Sequence, residues 1–180
     1  MGIKFLTVSL AIAMFVTVTP SYAQVSENEI QGAIEVIKGL SIDNTPEWAI
    51  EILKEVTDSA KLPQVNNTLG MAYLNGIGVA QDSITAIKYF EEAANKGYTN
   101  AYNNLGMIVK YAAYGKQDFK KAVYYFEEGA KAGSLMCNYD AGYMYYKGLG
   151  CKQDYTRAIE FFKKGIASSN PSCLYMLGLC

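Results

Sequence analysis

The chain has 180 residues with no histidine, four cysteines, sixteen glycines and fifteen tyrosines, and 16 basic residues stand against 17 acidic ones. Without an imidazole there is no Ser-His-Asp or Cys-His nucleophile pair and no histidine metal ligand, which excludes most familiar hydrolase designs. A net charge of −1 offers no field to concentrate phosphates, so no nucleic-acid partner is expected, while 51% hydrophobic and 13% aromatic residues suit a packed globular chain.

The first segment reads as an address. Lys4 precedes an uncharged stretch from Phe5 to Val18, followed by Thr19-Pro20-Ser21-Tyr22-Ala23 with small residues at the two positions a signal peptidase reads. The apolar stretch is shorter than the roughly 20 residues that cross a bilayer core, so a cleaved leader over 1–23 is expected rather than an anchor. Cleavage after Ala23 leaves Gln24 first, with 15 basic residues against 17 acidic once Lys4 is lost. No later stretch is long and apolar enough to span a membrane, and the chain is expected to be periplasmic or secreted.

Residues 24–65 read as a degenerate helix pair that caps the remainder of the chain. Ser26 and Glu29 have capping-box spacing, and Thr45 with Pro46 opens a second helix. Trp48 to Glu55 is similar to Thr85 to Glu92 at a shift of 37.

From about Asn66 the chain repeats itself at a shift of 36. Leu69-Gly70 recurs as Leu105-Gly106, Ala141-Gly142 and Leu177-Gly178, and Gln81-Asp82 as Gln117-Asp118 and Gln153-Asp154. Ala86, Ala122 and Ala158 keep step, as do Tyr89, Tyr125 and Phe161, and Phe90, Phe126 and Phe162. Each unit reads as two helices. Asn67 to Asn75 carries Leu69, Ala72 and Tyr73 at helical spacing, Gly76-Ile77-Gly78 breaks it, and Asp82 caps a second helix to about Lys96. On that second helix Ile84, Ile87, Tyr89, Phe90 and Ala93 form the apolar face. The plan recurs over Asp118 to Gly133 and Asp154 to about Ser168, and Asn170-Pro171 opens the last helix. Helices this short are marginal alone, so the units must stack, and the small residues let neighbouring backbones approach.

Leu69 to Asp82, followed by Ala86 and Ala93-Ala94-Asn95-Lys96-Gly97, resembles the Sel-one-like repeat, a relative of the tetratricopeptide repeat. The resemblance covers about Asn66 to Cys180. It implies an all-α fold: an α/α solenoid, a right-handed superhelix of about three and a half 36-residue repeats over 66–101, 102–137, 138–173 and a partial 174–180. It further implies an exported bacterial protein that binds other proteins, with envelope or host-interaction roles. In the second unit Ala112, Ala113, Tyr114 and Gly115 replace Gly76, Ile77, Gly78 and Val79, so the turn there must differ, with Tyr114 protruding. Leu177-Gly178-Leu179-Cys180 lacks a polar outer face, which leaves three readings: a sufficient lid, a truncation, or self-association through this helix.

If the first helices line the concave side, their outward columns form the partner-binding surface. The columns are Asn67, Met71 and Leu74; Asn103, Met107 and Lys110; and Tyr139, Tyr143 and Tyr146. Tyrosine combines rigid contact area with a polar tip, as at binding hot spots. The alternative is that these tyrosines pack between units.

Four cysteines in an exported chain allow three complete pairings. Cys137 and Cys173 share a repeat position on successive first helices, whose axes lie about 8–10 Å apart, beyond comfortable disulfide reach. In a cysteine-rich branch of the resembled family each unit has a pair seven residues apart, but Ala130 and Ile166 stand at the upstream positions here. Cys151 with Cys180 remains a candidate bridge. No Cys-x-x-Cys pair favours zinc, and neither a metal nor another cofactor is expected.

Gly76-Ile77-Gly78 and Gly148-Leu149-Gly150 follow no strand and continue into no phosphate loop, so both are helix turns. Glu91-Glu92 and Glu127-Glu128 recur at matched positions and become Lys163-Lys164 in the third unit, which reads as solvated helix faces rather than a catalytic pair. The leading reading is a non-enzymatic, exported scaffold for a protein partner. The alternative is a hydrolase acting on cell-wall material or β-lactams, which the cysteine-rich branch suggests but which finds no Ser-x-x-Lys in the chain.

Overall fold

The computed structural model describes residues 25–42, 44–56, 61–111, 115–166 and 171–180. The described residues form helices only: α1 (Glu27–Ile37), α2 (Pro46–Glu55), α3 (Leu62–Asn75), α4 (Ser83–Asn95), α5 (Asn100–Lys110), α6 (Phe119–Lys131), α7 (Leu135–Lys147), α8 (Tyr155–Ile166) and α9 (Pro171–Leu179). Consecutive helices pack against one another throughout, and first helices also meet across units, α1 with α3 and α5 with α7. The result is a stack of helix pairs, as the repeat requires. Ala112, Ala113, Tyr114, Asn170 and the leader lie outside the described residues.

Local chemistry sets the helix ends. Ser26 and Glu29 form a reciprocal capping box at α1, and the Thr45 hydroxyl accepts from the Trp48 amide at α2. Asp82 accepts from the amides of Ile84 and Thr85, Asp118 from Lys121, and Asp154 from Arg157. These caps satisfy amides that the first helical turn leaves without a partner. The glutamine before each aspartate closes the turn behind it. Gln81, Gln117 and Gln153 donate from Nε2 to the carbonyls of Leu74, Lys110 and Tyr146 at 2.8, 2.7 and 2.8 Å. The aspartate amides complete the clasp: Asp82, Asp118 and Asp154 donate to Tyr73, Val109 and Tyr145 at 2.8, 2.9 and 3.1 Å.

The Gly-x-Gly turns have two separate needs. Gly76 and Gly148 end their helices at φ near +68°, where a side chain is strained. Gly78, also at positive φ, lies against the start of α2, where an added Cβ would stand 2.6 Å from the Pro46 carbonyl carbon. Gly150 lies in the same way against Phe119 at the start of α6. The second glycine therefore docks each turn on the preceding unit.

The recurrent Leu-Gly column has a sharper role than general closeness. Gly70, Gly106 and Gly142 each receive the ring of a phenylalanine twenty residues later, Phe90, Phe126 and Phe162. A Cβ at Gly70 or Gly142 would stand 2.7 or 2.6 Å from the ring, and the approach at Gly106 is closer still. All three phenylalanines are fully buried, each contributing about 2–3 kcal/mol of apolar burial. The slot at Gly178 is open, with no atom within 4 Å of an added Cβ.

A second small-residue contact joins each unit to the next. Cys137 and Cys173, both fully buried, set their sulfurs against Gly129 and Gly165. Ala101 and Ala93 hold the matching positions one unit earlier and are equally buried. These two cysteines behave as small apolar residues. Burial pushes the Cys137 thiol up to about 11, which makes its thiolate scarce at neutral pH.

The core divides within α3. Val65, Leu69 and Ala72 join a cluster with Ile34, Ile50 and Leu53 of α1 and α2, while Met71, Tyr73 and Leu74 pack onto the larger cluster running to Met176. The opening pair and the repeats thus share α3. One expectation fails on α4, where Ile84 is 65% exposed: at 3.6 residues per turn it falls on the opposite side of the helix from the buried Ala86 and Ala93.

Candidate partner-binding face

The nine candidate residues separate into an interior set and a surface set. Asn67, Asn103 and Lys110 are buried between units. Asn104 Nδ2 donates to Asn67 Oδ1 at 2.8 Å, tying α5 to α3, and Asn103 Nδ2 donates to Asp140 Oδ2 at 2.9 Å, tying α5 to α7. Both bonds run from one first helix to the next. Buried amides without such partners would each cost about 1–3 kcal/mol.

Lys110 is 8% exposed, and its Nζ lies 3.5 Å from Asp140 Oδ1. Three rings surround the ammonium: Tyr111, Tyr143 and Phe126, with centroids at 5.1, 5.4 and 5.8 Å. Burial raises the Asp140 carboxyl above its ordinary value, more than the nearby Lys110 and the Asn103 bond lower it. The column position expected to meet a partner therefore spends its charge inside the stack.

Met71, Leu74, Met107, Tyr139, Tyr143 and Tyr146 remain partly exposed while packing on the core. Tyr139 stacks on Tyr143 at 6.4 Å and leans on Phe162 at 6.1 Å, so it belongs to both surface and core. Tyr146 meets Tyr155 edge-on at 5.6 Å. Tyr111, absent from the sequence-derived columns, is 63% exposed beside them. Asp140 and Asn104 were also missed. Their signal is a shift of 37 rather than 36, because contacts between first helices join a residue to the position one past its equivalent.

The paired glutamates are not simply solvated faces. Glu91 accepts from the Tyr125 hydroxyl at 3.0 Å, and Glu92 accepts from Asn66 Nδ2 at 3.1 Å. Glu127 accepts from the Tyr145 hydroxyl at 2.6 Å and pairs with Arg157 at 2.9 Å, while Arg157 also donates to the Tyr145 oxygen. Burial first, and Glu127 second, hold the Tyr145 phenol far above its ordinary range. These bonds make Glu91 and Glu127 connectors between units. Lys163 and Lys164 stay exposed.

Arg157 also borders a cavity of about 570 Å³ at the α7–α8 turn, with Cys151 and Tyr145 on its wall. Cys151 Sγ donates to the Met144 carbonyl at 3.8 Å. In this structure Cys151 and Cys180 are unpaired thiols, the first turned into the α7 end and the second exposed after α9. Among the described residues no cluster of three or more metal-ligating side chains occurs, and no helix is long and apolar enough to cross a membrane.

The Sel1 repeat model matches residues 66–98, 99–134 and 135–170. The chain belongs to the Sel1 repeat family. A Sel1 repeat protein from Oxalobacter formigenes superposes with a TM-score of 0.72 at 25% identity, over 83% of this chain and 61% of that one. This Sel1 repeat chain thus spans less than two thirds of that relative's length. A protective antigen of uropathogenic Escherichia coli with the same repeat fold is similar at 21% identity and a TM-score of 0.55, over 84% and 40% of the two chains. Helicobacter pylori cysteine-rich protein B is similar at 21% identity and a TM-score of 0.53, over 67% and 98%. No curated protein matches. The family resemblance and the helical-repeat fold read from the sequence both hold, and the hydrolase alternative gains no support from these matches.

Proposed function

We propose that this Sel1 repeat protein is an exported, non-enzymatic scaffold that binds a protein partner across its first-helix face. The observation that carries this reading is a row at the repeat interval, Met71, Met107 and Tyr143, partly exposed on three successive first helices. Leu74, Tyr146 and the exposed Tyr111 widen it. Tyrosine and methionine on rigid helices supply contact area at little ordering cost, and the family's general role as an interaction scaffold agrees. The three full units over 66–173, capped by 24–65, form the scaffold; 1–23 is the leader removed after Ala23. The partner is an envelope, secreted or host protein. Leu174, Tyr175 and Leu179, exposed on α9, support an additional contact through which the chain self-associates.

Affinity capture from envelope extracts followed by mass spectrometry tests the binding reading. A specific partner should be retained by the wild type and lost by Tyr143→Ala with Tyr146→Ala while helicity persists. Equal retention by both would remove this face from the interaction. Sequencing the N-terminus of exported protein should find Gln24, and sedimentation of the purified chain should show association that Tyr175→Ser abolishes.

A further inference from the structure

Charge is segregated along the stack. Residues 24–98 hold 11 acidic and 5 basic side chains, a net −6, whereas residues 99–180 hold 6 acidic and 10 basic, a net +4. α1 and α2 pack on each other and on α3, and α9 packs on α8, so one end of the stack is acidic and the other basic. Each end also leaves apolar side chains in water. They are Leu40 and Ile42 in the link from α1 to α2, and Leu174, Tyr175 and Leu179 on α9, a helix without a charged residue.

The fringes of the two ends have opposite sign. Glu51 and Glu55 are exposed one turn apart on α2, and Lys163 and Lys164 are exposed in the last turn of α8. Lys163 holds the position of Glu91 and Glu127, the carboxylates that inside the stack reach forward to the next unit. Trp48 is the equivalent of Thr85 and Arg157, and Arg157 reaches back to Glu127 at 2.9 Å. Glu51 and Glu55 follow Trp48 by three and seven residues and so share its side of the helix. Inside the stack a carboxylate meets a cation across the junction; at the two ends the signs are exchanged, and the ends remain complementary to each other. Two α9 helices paired together would instead bring two sets of α8 lysines to one interface.

We infer that the acidic α1–α2 end of one copy of this chain covers α9 and the basic edge of α8 on a second copy, an inference that rests on the self-association reading above and gives it a geometry. The apolar patches supply contact area, and the charged fringes steer the two ends together and select this orientation. A head-to-tail contact of this kind continues from copy to copy until it closes on itself.

Sedimentation of the purified chain over a concentration series tests the inference with two charge-reversed variants. The first is Glu51→Lys with Glu55→Lys, and the second is Lys163→Glu with Lys164→Glu. Each borrows residues that equivalent positions already hold, Lys88 and Lys164 for the first and Glu91-Glu92 for the second, so helicity should persist. Wild-type association should weaken about tenfold between about 50 and 500 mM salt. Each variant alone should associate about tenfold more weakly than the wild type, and an equimolar mixture of the two should regain wild-type strength. Leu40→Ser with Ile42→Ser, at exposed positions outside any helix, should also weaken association about tenfold and supplies the test if a charge-reversed variant loses helicity.

Wild-type association by the Glu51→Lys, Glu55→Lys variant alone overturns the head-to-tail contact but leaves self-association through α9. A mixture no stronger than its components overturns the charge pairing, and unchanged association of the Leu40→Ser, Ile42→Ser variant overturns the apolar contact at the acidic end. A wild type that stays monomeric throughout overturns both the inference and the self-association reading.

Discussion

Lys110 and Asp140 sit 3.5 Å apart at the junction of α5 and α7, each largely withdrawn from water, and the same aspartate accepts from Asn103. The pair links two successive repeats through a charge, an amide and three rings rather than through apolar packing alone. Such a pair adds little net stability against an apolar replacement, yet removing one member strands the other.

Lys110→Met should destabilise the chain by about 3–5 kcal/mol in urea titrations at neutral pH, because the Asp140 carboxylate is left buried and unpaired. Adding Asp140→Leu should recover much of the loss. If the double variant is no more stable than Lys110→Met, the two residues do not act as a pair.

Acid should affect Asp140 in an unusual direction. Its raised carboxyl means the folded chain takes up this proton before the unfolded chain does. Between neutral pH and the ordinary carboxylate value of about 4, the wild type should therefore gain stability relative to Asp140→Asn as pH falls. A relative loss over that window would show Lys110 outweighing burial.

Asp82 should behave oppositely. The Thr85 hydroxyl first, and the backbone amides next, hold its carboxyl below the ordinary range. Its stabilising contribution is present above the unfolded value and disappears as pH falls through the folded one. Thermal melts should show a wild-type advantage over Asp82→Ala at neutral pH that shrinks in strong acid toward the share a neutral cap retains, while the advantage of Asp82→Asn over Asp82→Ala stays independent of pH.

Glycine substitutions should separate by slot. Gly106→Ala should cost about 1–3 kcal/mol despite alanine's better helix propensity, since the Phe126 ring occupies the Cβ position. Gly178→Ala meets open space in α9 and should be neutral or stabilising by up to about 1 kcal/mol. Equal melting shifts for the two would remove the ring-seat account.

Thiol labelling at mildly alkaline pH, read by peptide mass spectrometry, should modify Cys180 first and Cys151 more slowly. Cys137 and Cys173 should react only after denaturant unfolds the chain, since both are fully buried and Cys137 is raised to about 11. Early labelling of Cys173 would mean that α9 opens readily.

Local chemistry was legible in the sequence wherever it is carried by neighbours along the chain. Ser26, Thr45, Asp82 and Asp118 cap the helices they precede, and Gly76 and Gly148 end theirs in the left-handed region, because capping and turn conformation involve only a few consecutive residues. The 36-residue period likewise identified which positions are equivalent, and from that the all-helical stack. Equivalence is not contact. Which residues meet depends on how helices cross, and that geometry joins Gly106 to Phe126 at a separation of twenty and Asn103 to Asp140 at thirty-seven. Only the tertiary arrangement could show that Lys110 is buried against Asp140, that Glu127 reaches Tyr145, and that Met71, Met107 and Tyr143 keep partial exposure. Sequence periodicity assigned the faces, and packing decided which of their polar groups could stay in water.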